Sequence, residues 1–230
     1  MPSVNDKVLS YGDSCLRKGD ADLLKHGQWL NDQVISFWFE YLVRDKYKDL
    51  VSSHQILLVP PSLTFILATV GSPQEASMLL ETMQPDRAEV AVFAINDSND
   101  IGAANSGFHW TVLAFERASK TFRHYDSAPG CSSASAQAAR RTLLATKDAL
   151  GVPSYSPDDI VEVQAMPRQQ NGFDCGVFAC CVTDMLCKWQ AEAKRCEQQE
   201  PCMREALCRE ASNWRAGVQK LIGELQGRGS

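Results

Sequence analysis

The chain has 230 residues, 44% apolar and 22% charged, enough to bury one sizeable core without a disulfide or metal staple and too apolar for a disordered segment. Its 28 acidic and 23 basic residues leave a formal charge of −5, which weighs against a phosphate-backbone binder and suits a partner with a basic surface or tail. No apolar stretch approaches the about 20 residues of a spanning helix, and the N-terminus lacks the basic start and apolar run of a secretory signal. Neither nucleic acid nor membrane is therefore expected as a partner.

In chain order, residues 32–46 predict a helix, with Val34, Phe37, Trp38, Tyr41 and Leu42 recurring at three and four and with Asn31 or Asp32 as its cap. Ile56–Val59 predicts a short strand stopped by Pro60-Pro61, and Pro61 suits the first turn of a helix over the next eight residues. Pro73–Met83 predicts another helix. The period then changes: Val90–Asn96, His109–Glu116 and Thr121–Tyr125 predict three strands in an antiparallel meander, the first two joined by the polar loop Asp97–Phe108. Ser133–Leu150 predicts an Ala-rich helix halted by Gly151 and Pro153, and Ile160–Gln164 a further strand. Asp174–Trp189 predicts a helix apolar almost all round, hence central. A tail helix places Leu207, Ala211, Trp214, Val218 and Leu221 on one stripe, after a polar run read as a linker or frayed helix. Helices packed on a largely antiparallel sheet give an α+β fold, expected as a single domain over residues 1–230.

Nine cysteines, an odd number with no CxxC pair, point to a reducing compartment and to tolerated thiols; no metal site is expected. One of them stands apart. In Gln169-Gln170-Asn171-Gly172-Phe173-Asp174-Cys175-Gly176 a glycine-bearing turn enters the apolar helix, so Cys175 falls on the first helical turn, where free amides and the helix dipole favour thiolate. Gly176 removes bulk beside the sulfur and suggests close approach of a substrate backbone. The alternative is a capped buried helix that happens to carry a cysteine near its start.

His109 opens the second strand of the meander and Asp126 follows the third, so the hairpin brings the two together despite their separation in sequence. A carboxylate beside an imidazole fixes its tautomer and stabilises the imidazolium, as the general base of a thiol requires. His124, on the same face as Asp126, competes weakly, and His26 and His54 read as surface residues. Gln169, arriving from the turn before Cys175, can donate to an oxyanion alongside the Cys175 amide. Gln170 is the alternative donor.

The set Trp29–Asp32 (WLND), His109-Trp110, His124–Ser127 (HYDS) and Gln169–Gly176 (QQNGFDCG) resembles the ubiquitin-like-protein proteases of the Ulp/SENP group, cysteine peptidases with a papain-like, adenain-type core. The order His, Asp, Gln, Cys also matches that group. Residues 9–24 (LSYGDSCLRKGDADLL) with Ile95–Asp100 (INDSND) resemble its deneddylase branch, which removes the modifier attached in neddylation. The likeness covers roughly 8–189 and leaves 190–230 as a helical tail without counterpart.

The resemblance implies Cys175 as nucleophile, His109 as base and acid, Asp126 as its orienter and Gln169 in the oxyanion hole. It further implies that Trp29 and Trp110 close as two facing indoles over the Gly-Gly of a modifier, and that Asp32 meets the basic stem of the modifier's tail. It implies no cofactor, a ubiquitin-like modifier and its conjugates as partners, a monomer, and a cytoplasmic or nuclear location. One departure stands out: members of the deneddylase branch usually carry Gly-Gly and a small residue before the His-Trp pair, where this chain has Ser106-Gly107-Phe108. Rival readings are a SUMO-directed protease of the same family, an acyltransferase using the same triad, and a pseudo-enzyme that grips a modifier without cutting.

Overall fold

In the strand Val90–Asn96 alternate residues divide cleanly: Val90, Val92 and Ala94 pack into one core, and Ala91, Phe93 and Ile95 into another on the opposite face. The strand is buried on both sides, which requires helices above and below it. The computed structural model describes residues 3–69, 72–98, 107–130 and 133–228. It begins with a hairpin, β1 (Lys7–Tyr11) and β2 (Ser14–Arg17), then α1 (Lys18–Asp22), α2 (Asp32–Tyr41) with a π-turn over Leu42–Lys46, and α3 (Lys48–Ser52). There follow β3 (Ile56–Val59), α4 (Pro61–Thr69), α5 (Pro73–Leu80), β4 (Val90–Asn96), β5 (Trp110–Glu116) and β6 (Thr121–Tyr125). The chain continues through α6 (Ser133–Thr146), β7 (Ile160–Glu162), α7 (Cys175–Ala191), α8 (Cys196–Gln199) and α9 (Met203–Arg228).

The main sheet has the order β3-β4-β5-β6-β7. Its centre is the expected meander, with Val92 opposite Ala114 and Val112 opposite Tyr125 in antiparallel register. Its two flanks join in parallel, β3 to β4 and β6 to β7, so the sheet is mixed. The cause lies in the connections: α4 with α5, and α6, are crossovers long enough to return the chain in the same direction. Those three helices cover one face of the sheet, and α2, α7 and α9 cover the other. Trp38 of α2 ties that second layer together. Its indole N–H donates to the Cys180 carbonyl at 3.1 Å, and its ring meets Trp214 edge-on.

The helix predicted over 133–150 closes at Thr146, and the one over 73–83 tightens to a 3₁₀ turn after Leu80. The polar run after α7 is neither linker nor frayed helix. It folds as a turn, α8 and a second turn, and it inserts Glu200 under the sheet, where the carboxylate accepts from Arg123 Nη1 (3.1 Å) and from Tyr125 Oη (2.9 Å). Sequence gave no sign of this, because a buried ion pair leaves no periodic pattern. Glu200→Ala is expected to cost about 3–5 kcal/mol, since it leaves the buried Arg123 guanidinium with only the half-exposed Glu197 carboxylate, 3.6 Å from Nη2, as its charged partner. Denaturant unfolding checks this, and a loss of about 1 kcal/mol or less, the scale of an exposed pair, refutes it.

Candidate active site

Cys175 is the first residue of α7 and is 3% exposed. Asn171 shapes the approach: its side-chain oxygen accepts from the amides of Phe173 and Asp174, both at 3.0 Å, which turns the chain into the helix. The carboxylate of Asp174 faces away from the helix, toward Asn171 Nδ2 and Arg215, and no side chain caps α7. The Cys175 amide therefore keeps the open, positive end of the helix. Burial pushes the thiols of Cys180, Cys181 and Cys187, further along α7, far up, and that of Cys196 up to about 12; these are packing thiols.

Gly176 has a different use from the one its position suggested. A Cβ there would lie 2.9 Å from Cβ of Leu30, so the missing side chain makes room for Leu30 and not for a substrate backbone. Leu30 in turn accepts from the Trp110 indole at 3.0 Å through its carbonyl. The helix of the cysteine is thereby seated directly against the segment that carries Trp29.

His109 sits just before β5 and is 5% exposed. Asp97, at the end of β4, holds it: one carboxylate oxygen accepts from the amides of Phe108 (2.6 Å) and His109 (3.0 Å), and the Asp97 amide donates to the His109 carbonyl. Gly107 makes this clasp sterically feasible, with φ +98° and no Cβ to collide with Asn96 Oδ1. Sequence alone does not single out Asp97, although its place across the loop from His109 is the available signal.

The His109 Nε2 lies 2.7 Å from Asp126 Oδ1, which also accepts from the Ala128 amide at 2.8 Å. Burial pushes the His109 imidazole down, but its hydrogen bonds to Asp126 and Cys175 and the negative charge of both outweigh this and raise it to about 10. With Nε2 committed to Asp126, Nδ1 is the ring atom left for the sulfur. Burial pushes Asp126 up, yet the hydrogen bonds from His109 and from the Ala128 amide, with the imidazole charge, hold it below the usual carboxylate range. His124 is engaged elsewhere: its ring bridges Glu162 and Thr111 inside the sheet, both at 2.8 Å.

Gln169 is joined to the strand of Asp126. Its amide donates to the Ser127 carbonyl (2.8 Å), its side-chain oxygen accepts from Ser127 Oγ (2.7 Å), and its Nε2 donates to the Asn171 carbonyl (2.7 Å). Gln170, by contrast, is exposed and turned back on the Arg168 carbonyl. Asn31 is the cap of α2, accepting from the Val34 amide, so Asp32 is left half-exposed in the first helical turn, three residues after Trp29.

The two indoles expected to face each other make no ring contact here. Trp110 begins β5 on the face covered by α2, α7 and α9 and is buried, with its N–H donated to the Leu30 carbonyl. The ring that Trp29 meets is Phe108, edge-on at 5.9 Å between centroids, with Trp29 48% and Phe108 74% exposed. Gly102 and Ser106 of the same loop lie outside the described residues, as do Asn99 and Asp100 of the INDSND run. Among the described residues no cluster of His, Cys, Asp or Glu could hold a metal ion, and no helix is long and apolar enough to cross a membrane.

Comparison with known proteins agrees with this geometry. The model of the Ulp1 protease family, C-terminal catalytic domain, matches residues 28–206. Sentrin-specific protease 8 of Rattus norvegicus is 35% identical over 182 residues, covering 79% of each chain. NEDD8-specific protease 1 of Arabidopsis thaliana is 30% identical over 190 residues, covering 81% of this chain and 78% of the relative. Among solved structures, a de-sumoylating protease superposes with a TM-score of 0.65 at 14% identity, over 96% of this chain and 91% of the other. The Ulp1 domain in complex with Smt3, the yeast ortholog of SUMO, gives 0.59 at 19% identity, over 90% and 87%. These structural likenesses carry the α+β papain-like fold, and the family match with the curated relatives carries descent: the chain belongs to the Ulp1 protease family and is a cysteine peptidase of that family.

Proposed function

We propose that this peptidase cleaves after the C-terminal Gly-Gly of a ubiquitin-like modifier, with the modifier of neddylation as its preferred substrate, both from conjugated lysines and from precursors. The observation that carries the chemistry is the Asp126–His109 hydrogen bond, with Cys175 at the open start of α7 close enough to act on the same imidazole. The names of the relatives from rat and Arabidopsis support the choice of substrate class.

In this reading the Cys175 sulfur attacks the carbonyl of the modifier's last glycine. Gln169 and the Cys175 amide receive the oxyanion, and protonated His109 delivers its proton to the departing lysine amine. His109 then takes a proton from water, which hydrolyses the thioester and frees the modifier. In this reading Trp29 and Phe108 form an aromatic cover over the modifier's Gly-Gly, which admits glycine and excludes residues with a Cβ. Asp32, not engaged as the cap of α2 and partly exposed three residues after Trp29, receives the basic stem of the tail.

The test is a panel of modifiers whose C-termini carry an electrophile: the neddylation modifier, SUMO and ubiquitin. The expected result is a covalent adduct on Cys175 that forms at least about tenfold faster with the neddylation modifier, a difference of roughly 1.4 kcal/mol in activation free energy. Faster capture of SUMO overturns the assignment of substrate but not the chemistry. Capture of none of the three overturns the reading altogether.

A further inference from the structure

The C-terminal helix reaches the active site through one side chain. Arg215, in the middle of α9, lies beyond residue 206, where the family match ends. Its Nη1 donates to the carbonyls of Leu23 (2.7 Å) and Lys25 (3.3 Å), and its Nη2 to that of Gln28 (2.7 Å). Nη2 and Nε also converge on Asp174 Oδ1, at 2.8 and 3.2 Å, and Nη2 reaches the Phe173 carbonyl at 3.4 Å. The guanidinium lies over the Phe173 ring. One turn further along α9, Gln219 Nε2 reaches the carbonyl of Leu24.

These contacts fall on the two segments that meet beside Cys175, where Leu30 packs against Gly176. Leu23, Lys25 and Gln28 belong to the segment that leads into Trp29, and Phe173 and Asp174 immediately precede Cys175. The fork also draws the Asp174 carboxylate outward; at that position an aspartate would otherwise be suited to cap the helix. Only a planar, multiply donating group can hold both segments at once, because an ammonium is a compact point charge and offers no such fork.

We propose that Arg215 is a positioning residue for the peptidase reaction: it fixes the distance between the Trp29 segment and the Cys175 turn and keeps the start of α7 uncapped. The proposal rests on the reading of Cys175 and Trp29 given above. It makes the C-terminal helix a working part of the site, although that helix contributes no group to the bond that breaks.

The test uses the full chain with R215K and R215A, rates being counted per active site by capture with the electrophile-tipped neddylation modifier. Expected for both variants is a fall of about tenfold or more in kcat/KM, since small displacements of reacting groups carry costs of this order or larger. The fall is expected in kcat more than in KM. Millimolar guanidinium ion is expected to restore much of the rate of R215A and none of that of R215K, whose side chain fills the space. A merely structural role would lower the melting temperature and leave the rate per active site unchanged. Wild-type rates in R215K, or an R215A rate indifferent to guanidinium, overturn the proposal. Should R215A fail to fold, R215K, which keeps charge and stem packing, decides alone. Failure of the wild-type chain to react with the probe would instead overturn the functional reading.

Discussion

Replacing Asp126 by asparagine is expected to lower kcat/KM by about 10⁴-fold, because an amide in that place stabilises the wrong imidazole tautomer and no longer supports the imidazolium. The structure locates the effect closely. Asp126 Oδ1 is the partner of His109 Nε2, and His109 is almost fully buried, so no water can substitute. The pH profile gives an independent signature. The wild-type His109 is raised to about 10, so the proton that the proposed reaction has it deliver to the leaving amine remains in place through neutrality and is lost as pH rises through about 10. Stability follows the same sign: the contribution of charged His109 is complete below the ordinary histidine value of about 6.5 and is gone above about 10. Asp126 acts in the opposite sense, contributing above its ordinary value of 3.8 and losing that contribution as pH falls through its lowered one. In Asp126→Asn the opposing push of burial remains while the main support is gone, so the alkaline limb of kcat/KM must move down. A variant whose alkaline limb stays at about 10 would show that Asp126 does not support His109.

How much of this was legible in the sequence depended on whether a feature is local. The elements were readable because their periods are: β4 and β5 divide their side chains strictly between two faces, and the sealed, apolar Cys175–Ala191 run marked a central helix. The meeting of His109 and Asp126 was readable because a short hairpin forces it. Its detail was not. The register that sets Val112 opposite Tyr125 carries Thr111 to the level of Asp126, so His109 reaches the carboxylate on a diagonal, from ahead of the strand. Features that depend on distant partners left no trace. The parallel flanks of the sheet arise from crossovers whose direction a lone strand does not encode. Gly176 reads as space for a substrate until Leu30 is seen against it, and nothing in the sequence tells that the Trp110 indole is held on the Leu30 carbonyl. Phe108, the departure from the deneddylase pattern, is the residue that the folded chain sets against Trp29. The same logic hid Arg215 and Glu200, whose partners lie in segments far removed along the chain.

Substituting Gln169 by alanine is expected to lower kcat by about 10²–10³-fold while KM changes little, the signature of a donor engaged only when negative charge develops on the substrate oxygen. The structure adds a condition to that expectation. Gln169 is held on both sides of its amide group, by Ser127 Oγ on the oxygen and by the Asn171 carbonyl on the nitrogen. One of the two Nε2 protons is thus occupied, and the other is the one available to an oxyanion. Because Ser127 follows Asp126 directly, the same bond also couples the proposed oxyanion donor to the carboxylate bonded to His109. Ser127→Ala is therefore expected to reproduce part of the Gln169→Ala loss without touching either the nucleophile or the imidazole. Gln169→Glu separates the two roles: it keeps an acceptor for Ser127 and removes the donor, replacing it with a charge that repels the oxyanion. Its kcat is expected to fall at least as far as that of the alanine variant. Rates for Gln169→Glu close to wild type, measured on the modifier substrate at neutral pH, would show that the oxyanion is held by the Cys175 amide and the open end of α7 without help from this side chain.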